Sequence, residues 1–203
     1  MSVLVPPPLS TSSHFTSQHS LPSPGFLFYR NLGMPDFEQV RRLGRECLPD
    51  MNYDDDFWTR LLSDKTETLA IGCFDGSNGI LIAVVTVAIT PDTFVPRWFL
   101  RPEEVTLLRN YTEISYITTF FVHSSYRNRG IGATLMNYAV DHIATMHTTS
   151  LIYLHVAEDN PAAQRLYTKC GFSTATVLRD YYKNRASKGL STNAWLMTKI
   201  VKI

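Results

Sequence analysis

Tyr126-Arg127-Asn128-Arg129-Gly130-Ile131-Gly132-Ala133 is the stretch on which the reading of this chain turns. It follows a β-branched and aromatic run, Ile114 to Val122, and opens a segment whose apolar line is Ile131, Leu135, Ala139 and Ile143. That pattern predicts a strand, a tight turn and an amphipathic helix. Two glycines let a ligand approach the backbone with no Cβ in the way. The free N–H groups of the helix start, the helix dipole and the Arg127 and Arg129 guanidiniums then make an anion site suited to a pyrophosphate. The third glycine of a dinucleotide fingerprint is missing, and no Gly-Lys-Ser/Thr follows as a triphosphate loop requires. By itself the turn is equally consistent with a tight strand-to-helix connection that holds no ligand.

Outward from this turn, the second half of the chain alternates strand and helix. Strands are expected at Ile114–Val122, Leu151–Val156, Phe172–Asp180 and Ala194–Ile203, and helices at Gly130–Met146 and Pro161–Cys170. Such alternation implies parallel strands joined by crossovers, hence an α/β class. In the first half, Phe26–Arg30 reads as a strand, and Pro35–Cys47 as a helix with Phe37, Val40, Leu43 and Cys47 on one face. Asp54–Leu62 reads as a second helix. Thr68–Phe74 and Gly79–Ile89 read as strands joined through Asp75-Gly76-Ser77-Asn78, a hairpin signal. Residues 1–25 carry five prolines and no charged side chain, the composition of a flexible leader, so folded sequence is expected over residues 26–203. Residues 90–112, with Pro91, Pro96 and Pro102, form an insertion long enough to be functional, including a helical turn from Pro102 to Arg109.

Composition removes several function classes. Of 203 residues, 19 are basic and 18 acidic, a formal charge of +1 that argues against nucleic acid as a partner. Cys47, Cys73 and Cys170 are far apart, with no CxxC pair and no Cys/His cluster, so neither a disulfide framework nor a metal site is expected. No run approaches the roughly 20 apolar residues that span a bilayer, and the N-terminus lacks the features of a secretory signal. A soluble protein of the cytoplasm is the expectation.

About 28 residues after Gly132 comes Asn160-Pro161-Ala162-Ala163-Gln164-Arg165-Leu166-Tyr167-Thr168-Lys169-Cys170-Gly171-Phe172. With Arg127 to Gly132 before it, this pair of segments resembles the signature of the GNAT superfamily of acetyl-CoA-dependent N-acetyltransferases. The resemblance covers residues 26–203 and implies a mixed α/β sheet with splayed central strands, and acetyl-CoA as co-substrate. Leu48-Pro49 with Tyr53-Asp54-Asp55-Asp56-Phe57-Trp58, Ser115-Tyr116-Ile117, Ile152-Tyr153-Leu154-His155-Val156 and Asp180-Tyr181-Tyr182-Lys183 are similar to segments of the NatE and NatF catalytic subunits. Among these the insertion before Tyr116 and the closing strand favour the NatF type. That type implies the N-terminal amine of proteins as acceptor, with Met followed by a hydrophobic residue preferred and lysine side chains as further acceptors. The chain departs from the pattern in one extra residue within Leu48–Tyr53 and in Phe121, where the strand contacting CoA usually has glycine.

Site residues follow from the resemblance and from strand alternation. Alternation places Tyr153 with His155 on one face of their strand, and Tyr116, Thr118 and Phe120 on one face of theirs. The resemblance implies Tyr116 and His155 as the groups that take the amine proton, and an unperturbed imidazole, with a pKa of about 6.5, suits that role at neutral pH. It implies Tyr167 as the acid for the CoA thiolate or the wall of the CoA channel. Asn160 either caps its helix or bonds the pantetheine. Contact with the cofactor is expected of Phe120, Phe121, Val122, Arg127, Asn128, Arg129, Gly130, Ile131, Gly132 and Ala133, with the oxyanion donor a backbone N–H near Phe120 to Val122. Leu48, Pro49, Tyr53, Thr118, Tyr181 and Tyr182 are expected to wall the substrate groove. A lysine or small-amine acetyltransferase and a non-catalytic acetyl-CoA-binding module are the competing readings. A ribosome contact or auxiliary subunit has no signature in the residues.

Overall fold

In the computed structural model the described residues are 26–51, 53–63, 66–89, 100–111, 113–146 and 149–201. The expected leader, most of the Pro-punctuated part of the insertion, and His147 lie outside them. Seven strands form one sheet: β1 (Leu27–Asn31), β2 (Thr68–Asp75), β3 (Ile80–Ala88), β4 (Ile114–Val122), β5 (Leu151–Ala157), β6 (Ser173–Leu178) and β7 (Ala194–Ile200). The helices are α1 (Phe37–Cys47), α2 (Asp55–Ser63), α3 (Pro102–Leu108), α4 (Ile131–Met146) and α5 (Pro161–Lys169).

The strand order is β1-β2-β3-β4-β5-β7-β6. The first four strands pair antiparallel in sequence order, and the short turn Asp75–Asn78 that joins β2 to β3 allows no other arrangement of that pair. Only β4 and β5 pair in parallel, linked across α4. The expectation of a parallel second half is corrected here. β7 inserts between β5 and β6 and runs antiparallel to both, so β6 never pairs with β5. The result is a mixed α/β sheet.

Two layers of helix cover it. Val40, Leu43, Trp58, Leu61 and Leu62 of α1 and α2 bury against Phe74, Val84 and Phe121 on one face. Ile131, Leu135, Met136, Ala139 and Ile143 of α4 bury with Tyr167 of α5 and Phe172 against Ile71, Val85, Ile152 and Leu154 on the other. A Cβ on Gly44 would lie 2.5 Å from the Trp58 ring, so α1 and α2 pack as closely as they do because residue 44 has no side chain. A third cluster joins Leu108 of α3 to Ile114, Leu151, Tyr153, Leu178 and Leu196. The insertion therefore carries its own helix onto the β5–β7 half of the sheet.

Candidate active site

The site begins where β4 and β5 part. Their pairing comprises Ile114↔Leu151, Ser115↔Ile152 and Tyr116↔Tyr153, and no pair follows. Past that point the strands enclose a cleft of about 230 Å³. Ile117 to Phe120 line it from β4, Leu154 to Ala157 from β5, and Asn160 and Tyr167 from the α5 side. Leu48, Pro49, Met51, Tyr53, Tyr182 and Arg185 close its other walls. A larger groove of about 970 Å³ lies at the opposite end of β5, beside Leu107, Tyr111, Leu151 and Ile200.

Alternation along β4 does not hold as expected. Thr86 pairs with Thr119 and Val87 with Ile117, so Thr118 is an inserted residue, a bulge. Its hydroxyl lies 2.5 Å from the Thr86 hydroxyl, which also meets that of Thr119 at 2.6 Å. The bulge shifts the parity of the strand. Tyr116 joins the α3 cluster, whereas Phe120 joins Ile117 and Val122 on the α4 face, its ring 6.0 Å from that of Tyr167. Phe121 is turned the other way, edge-on to Trp58 in the α1–α2 layer. Its side chain packs in that layer, and Phe121 is not among the described residues that line the cleft.

The Tyr126–Ala133 turn has the form an anion site needs. The His123 imidazole accepts from the Ser125 N–H, Tyr126 donates to Asp75 at 2.9 Å, and Arg127 Nε donates to the Val122 carbonyl at 2.9 Å. These bonds fix the turn and hold Arg127 at the mouth of the cleft, while the Arg129 guanidinium lies over the Tyr126 ring. Asn128 (φ 61°) and Gly130 (φ 81°) both adopt the left-handed region. A Cβ on Gly130 would meet nothing within 4 Å, so this glycine serves backbone conformation and open space rather than packing. Gly132 is the reverse case. A Cβ there would lie 2.8 Å from Leu166 and 3.3 Å from Phe120, so its absence lets α5 approach α4. Ile131 is buried and Ala133 packs beside it, leaving the first N–H groups of α4 without intrahelical partners. These N–H groups with Arg127 and Arg129 fit the diphosphate of acetyl-CoA. Asn160 accepts from the Ala163 N–H through Oδ1 at 3.2 Å, which is the capping arrangement of its two readings. Tyr167 is buried, and burial raises its pKa far above that of an ordinary phenol.

At the apex of the cleft sits a polar cluster. His155 Nδ1 lies 3.2 Å from the Tyr116 hydroxyl and 3.1 Å from that of Tyr181, whose ring stacks on the imidazole at 4.3 Å. Tyr181, expected as groove wall, therefore reaches the histidine instead, while Tyr182 lines the cleft. Leu48, Pro49, Thr118 and Tyr53 also line it, Tyr53 stacked on Phe57 at 4.1 Å. Burial and then the neighbouring Tyr181, Tyr182, Tyr153 and Tyr53 push the Tyr116 phenol well above its ordinary range.

Glu104 and Arg101 are the residues that sequence reasoning missed. Glu104 Oε1 lies 2.8 Å from His155 Nε2, with side chains 2% and 3% exposed respectively. Burial by itself raises the Glu104 pKa. The hydrogen bond and charge of His155, with the N–H and charge of Arg101, outweigh it and hold the carboxyl below its usual range. Arg101 donates to the carbonyls of Arg179 and Asp180 and lies over the Tyr181 ring at 5.5 Å. It thereby fastens α3 to the turn that carries Tyr181. Across the cleft mouth, Lys188 pairs with Asp50 at 2.6 Å and Asn184 donates to the Asp50 carbonyl, bridging the 181–188 segment to the Leu48–Tyr53 loop.

A sheet split after three residue pairs, a glycine turn at one strand end and a histidine–tyrosine cluster at the apex together make a candidate site for acyl transfer. The model of the acetyltransferase (GNAT) family matches residues 34–172, and the chain belongs to that family. It is an acetyl-CoA-dependent N-acetyltransferase. It is 25% identical to an N-alpha-acetyltransferase of Sulfurisphaera tokodaii over 153 residues, 75% of this chain and 84% of that protein. It is 38% identical to the spermidine N(1)-acetyltransferase of Vibrio cholerae over 63 residues, 31% of this chain and 36% of that one. The crystal structure of Arabidopsis thaliana NAA60 in complex with acetyl-CoA has the same fold, with a TM-score of 0.70 at 23% identity over 87% of this chain and 99% of that one. No described helix is long and apolar enough to cross a membrane.

Proposed function

We propose that the chain is a protein N-alpha-acetyltransferase of NatF-like type, acting on N-termini that begin with Met and a hydrophobic residue. The observation that carries this reading is the lining of the acceptor end of the cleft. Leu48, Pro49, Met51, Tyr53 and Tyr182 are apolar or aromatic, and Asp50, the one carboxylate among the described lining residues, is paired with Lys188. A polyamine needs unpaired carboxylates along its length, whereas a peptide needs apolar walls and backbone partners.

In this reading the acceptor nitrogen attacks the thioester carbonyl, the C–N bond forms, the C–S bond breaks, and the amine loses one proton while the CoA thiolate gains one. An α-amine, with a pKa near 8, is about 10% neutral at pH 7, whereas lysine near 10.4 is neutral in well under 1% of molecules, so the N-terminus needs less assistance. His155 takes the proton through the Tyr116 hydroxyl, because a phenol of such high pKa relays a proton rather than holding the negative charge. For the same reason Tyr167 stabilises the departing thiolate by donating a hydrogen bond. Phe120, Val122 and the Arg127–Ala133 turn hold acetyl-CoA, and residues 26–203 act as one catalytic domain whose insertion contributes α3.

The test is acetylation, with purified protein and acetyl-CoA, of a peptide beginning Met-Leu, of the same peptide with its N-terminus blocked and an internal lysine, and of spermidine. Turnover on the first alone supports the proposal. Turnover on the blocked peptide or on spermidine, with none on the first, overturns it in favour of a lysine or small-amine acetyltransferase. The match to a spermidine acetyltransferase makes that arm necessary.

A further inference from the structure

We propose that Glu104 is a positioning residue of the acetyl-transfer centre, delivered by the insertion helix to fix His155 in the tautomer whose Nδ1 accepts protons. The inference rests on the reading of His155 as the base and adds the group that sets its state. Oε1 of Glu104 faces His155 Nε2 at 2.8 Å, and Oε2 accepts the Arg101 N–H at 3.0 Å, so neither oxygen is available to turn elsewhere. An ionised carboxylate only accepts hydrogen bonds, so Nε2 must carry the hydrogen, and in the neutral imidazole Nδ1 then presents its lone pair. That lone pair faces the hydroxyls of Tyr116 and Tyr181. A single lone pair takes one full hydrogen bond, so the two hydroxyls compete to donate to Nδ1.

The groups around the imidazole are Glu104 from α3, Tyr116 from β4, Tyr153 from β5 and Tyr181 from the turn that Arg101 clamps, with Tyr53 and Tyr182 behind. Glu104 is the single anion among them. When the amine proton enters the hydroxyl pair and a hydroxyl proton moves to Nδ1, the imidazolium keeps Nε2–H on the Glu104 carboxylate, which neutralises it. The proton then leaves to the thiolate or to solvent, and the cluster returns to its starting state. A buried carboxylate is costly unless paired, and Leu108, one turn further along α3, covers the sheet with an apolar side chain instead.

The experiment measures steady-state kinetics of the full chain between pH 5.5 and 9, with the amine that the acceptor panel identifies. The variants are Glu104→Gln, Glu104→Asp, His155→Gln and the Glu104→Gln/His155→Gln pair. Glu104→Gln is expected to lower kcat by about 100-fold or more, within the range of general-base catalysis and of a mis-set histidine tautomer. Its acetyl-CoA KM stays within about twofold, so the loss falls on kcat and not on cofactor binding. Glu104→Asp recovers part of the rate, and the pair is no slower than His155→Gln alone. If His155→Gln is inactive but Glu104→Gln keeps the wild-type kcat, the role of Glu104 is refuted while His155 stands. If Glu104→Gln loses rate only in step with acetyl-CoA affinity and Tm, and Glu104→Asp recovers none of it, its role is structural and the proposal also fails. An active His155→Gln removes the base reading and this inference with it.

Discussion

Placing a carboxylate at residue 130 tests the anion turn most directly. Gly130 has φ of 81° and open space where a Cβ would be. Alanine there meets no neighbour, so its cost is the left-handed conformation, about 1 kcal/mol. For a domain of this size that lowers Tm by about 2–4 °C. Aspartate tolerates the conformation at least as well and adds a charge facing the diphosphate. Two unit charges about 4 Å apart interact by about 4 kcal/mol at an effective dielectric constant near 20, and exposure with salt near 0.15 M screens this to about half. The remaining ~2 kcal/mol weakens CoA binding about 30-fold. Calorimetric titration with CoA, beside thermal melts without it, separates the two effects. Gly130→Ala should bind within a few-fold of wild type, and Gly130→Asp about 30-fold more weakly, the difference shrinking in 0.5 M salt. Wild-type affinity in Gly130→Asp at low salt would refute the assignment of the diphosphate to this turn.

Tyr116→Phe removes a relay hydroxyl without changing packing, so kcat should fall by about tenfold or more while CoA affinity and Tm hold; an unchanged kcat would leave the relay to Tyr181 alone. Gly44→Ala should destabilise by about 1–3 kcal/mol, although glycine-to-alanine in a helix ordinarily gains about 1, because the added Cβ meets the Trp58 ring at 2.5 Å. A higher denaturation midpoint in this variant would show that the ring yields. Glu104 has a lower pKa folded than unfolded, so its pairing stabilises fully above pH about 4.5 and is lost as pH falls through the folded value. Urea titrations from pH 5 to 3 should therefore show wild type losing more stability than Glu104→Gln, and parallel losses would contradict the assignment.

The anion turn and its flanking elements were legible because their signals are local. Glycine at 130 and 132, the apolar line Ile131–Ile143 and the Asp75–Asn78 hairpin each act over a few residues. Three features were not. β7 separates β5 from β6, a choice of neighbour that strand–helix alternation cannot express. The bulge at Thr118 depends on Thr86, far away in the chain, whose hydroxyl meets two threonines at once. Glu104 lies in a short helix after a run of prolines and has no periodicity to mark it as buried. Its first-turn position reads as an ordinary capping acid, which it also is, through the Arg101 N–H. Tyr116, Tyr181, Tyr182 and His155 were singled out in the sequence, but the resemblance said more of their roles than the spacing did, and it was silent on the carboxylate beside His155.

The early end of β4–β5 pairing leaves two strand margins inside the molecule, each with a row of backbone donors and acceptors lacking a strand opposite. On an outer rim such margins invite aggregation, but here they lie inside the cleft, whose mouth the Lys188–Asp50 pair borders. An extended guest with amide groups of its own, such as a pantetheine arm, has donors and acceptors to offer both margins. Loading the enzyme should then resemble adding a missing rung: amide hydrogens of residues 117–120 and 154–157 exchange more slowly, and the two halves of the sheet melt as one.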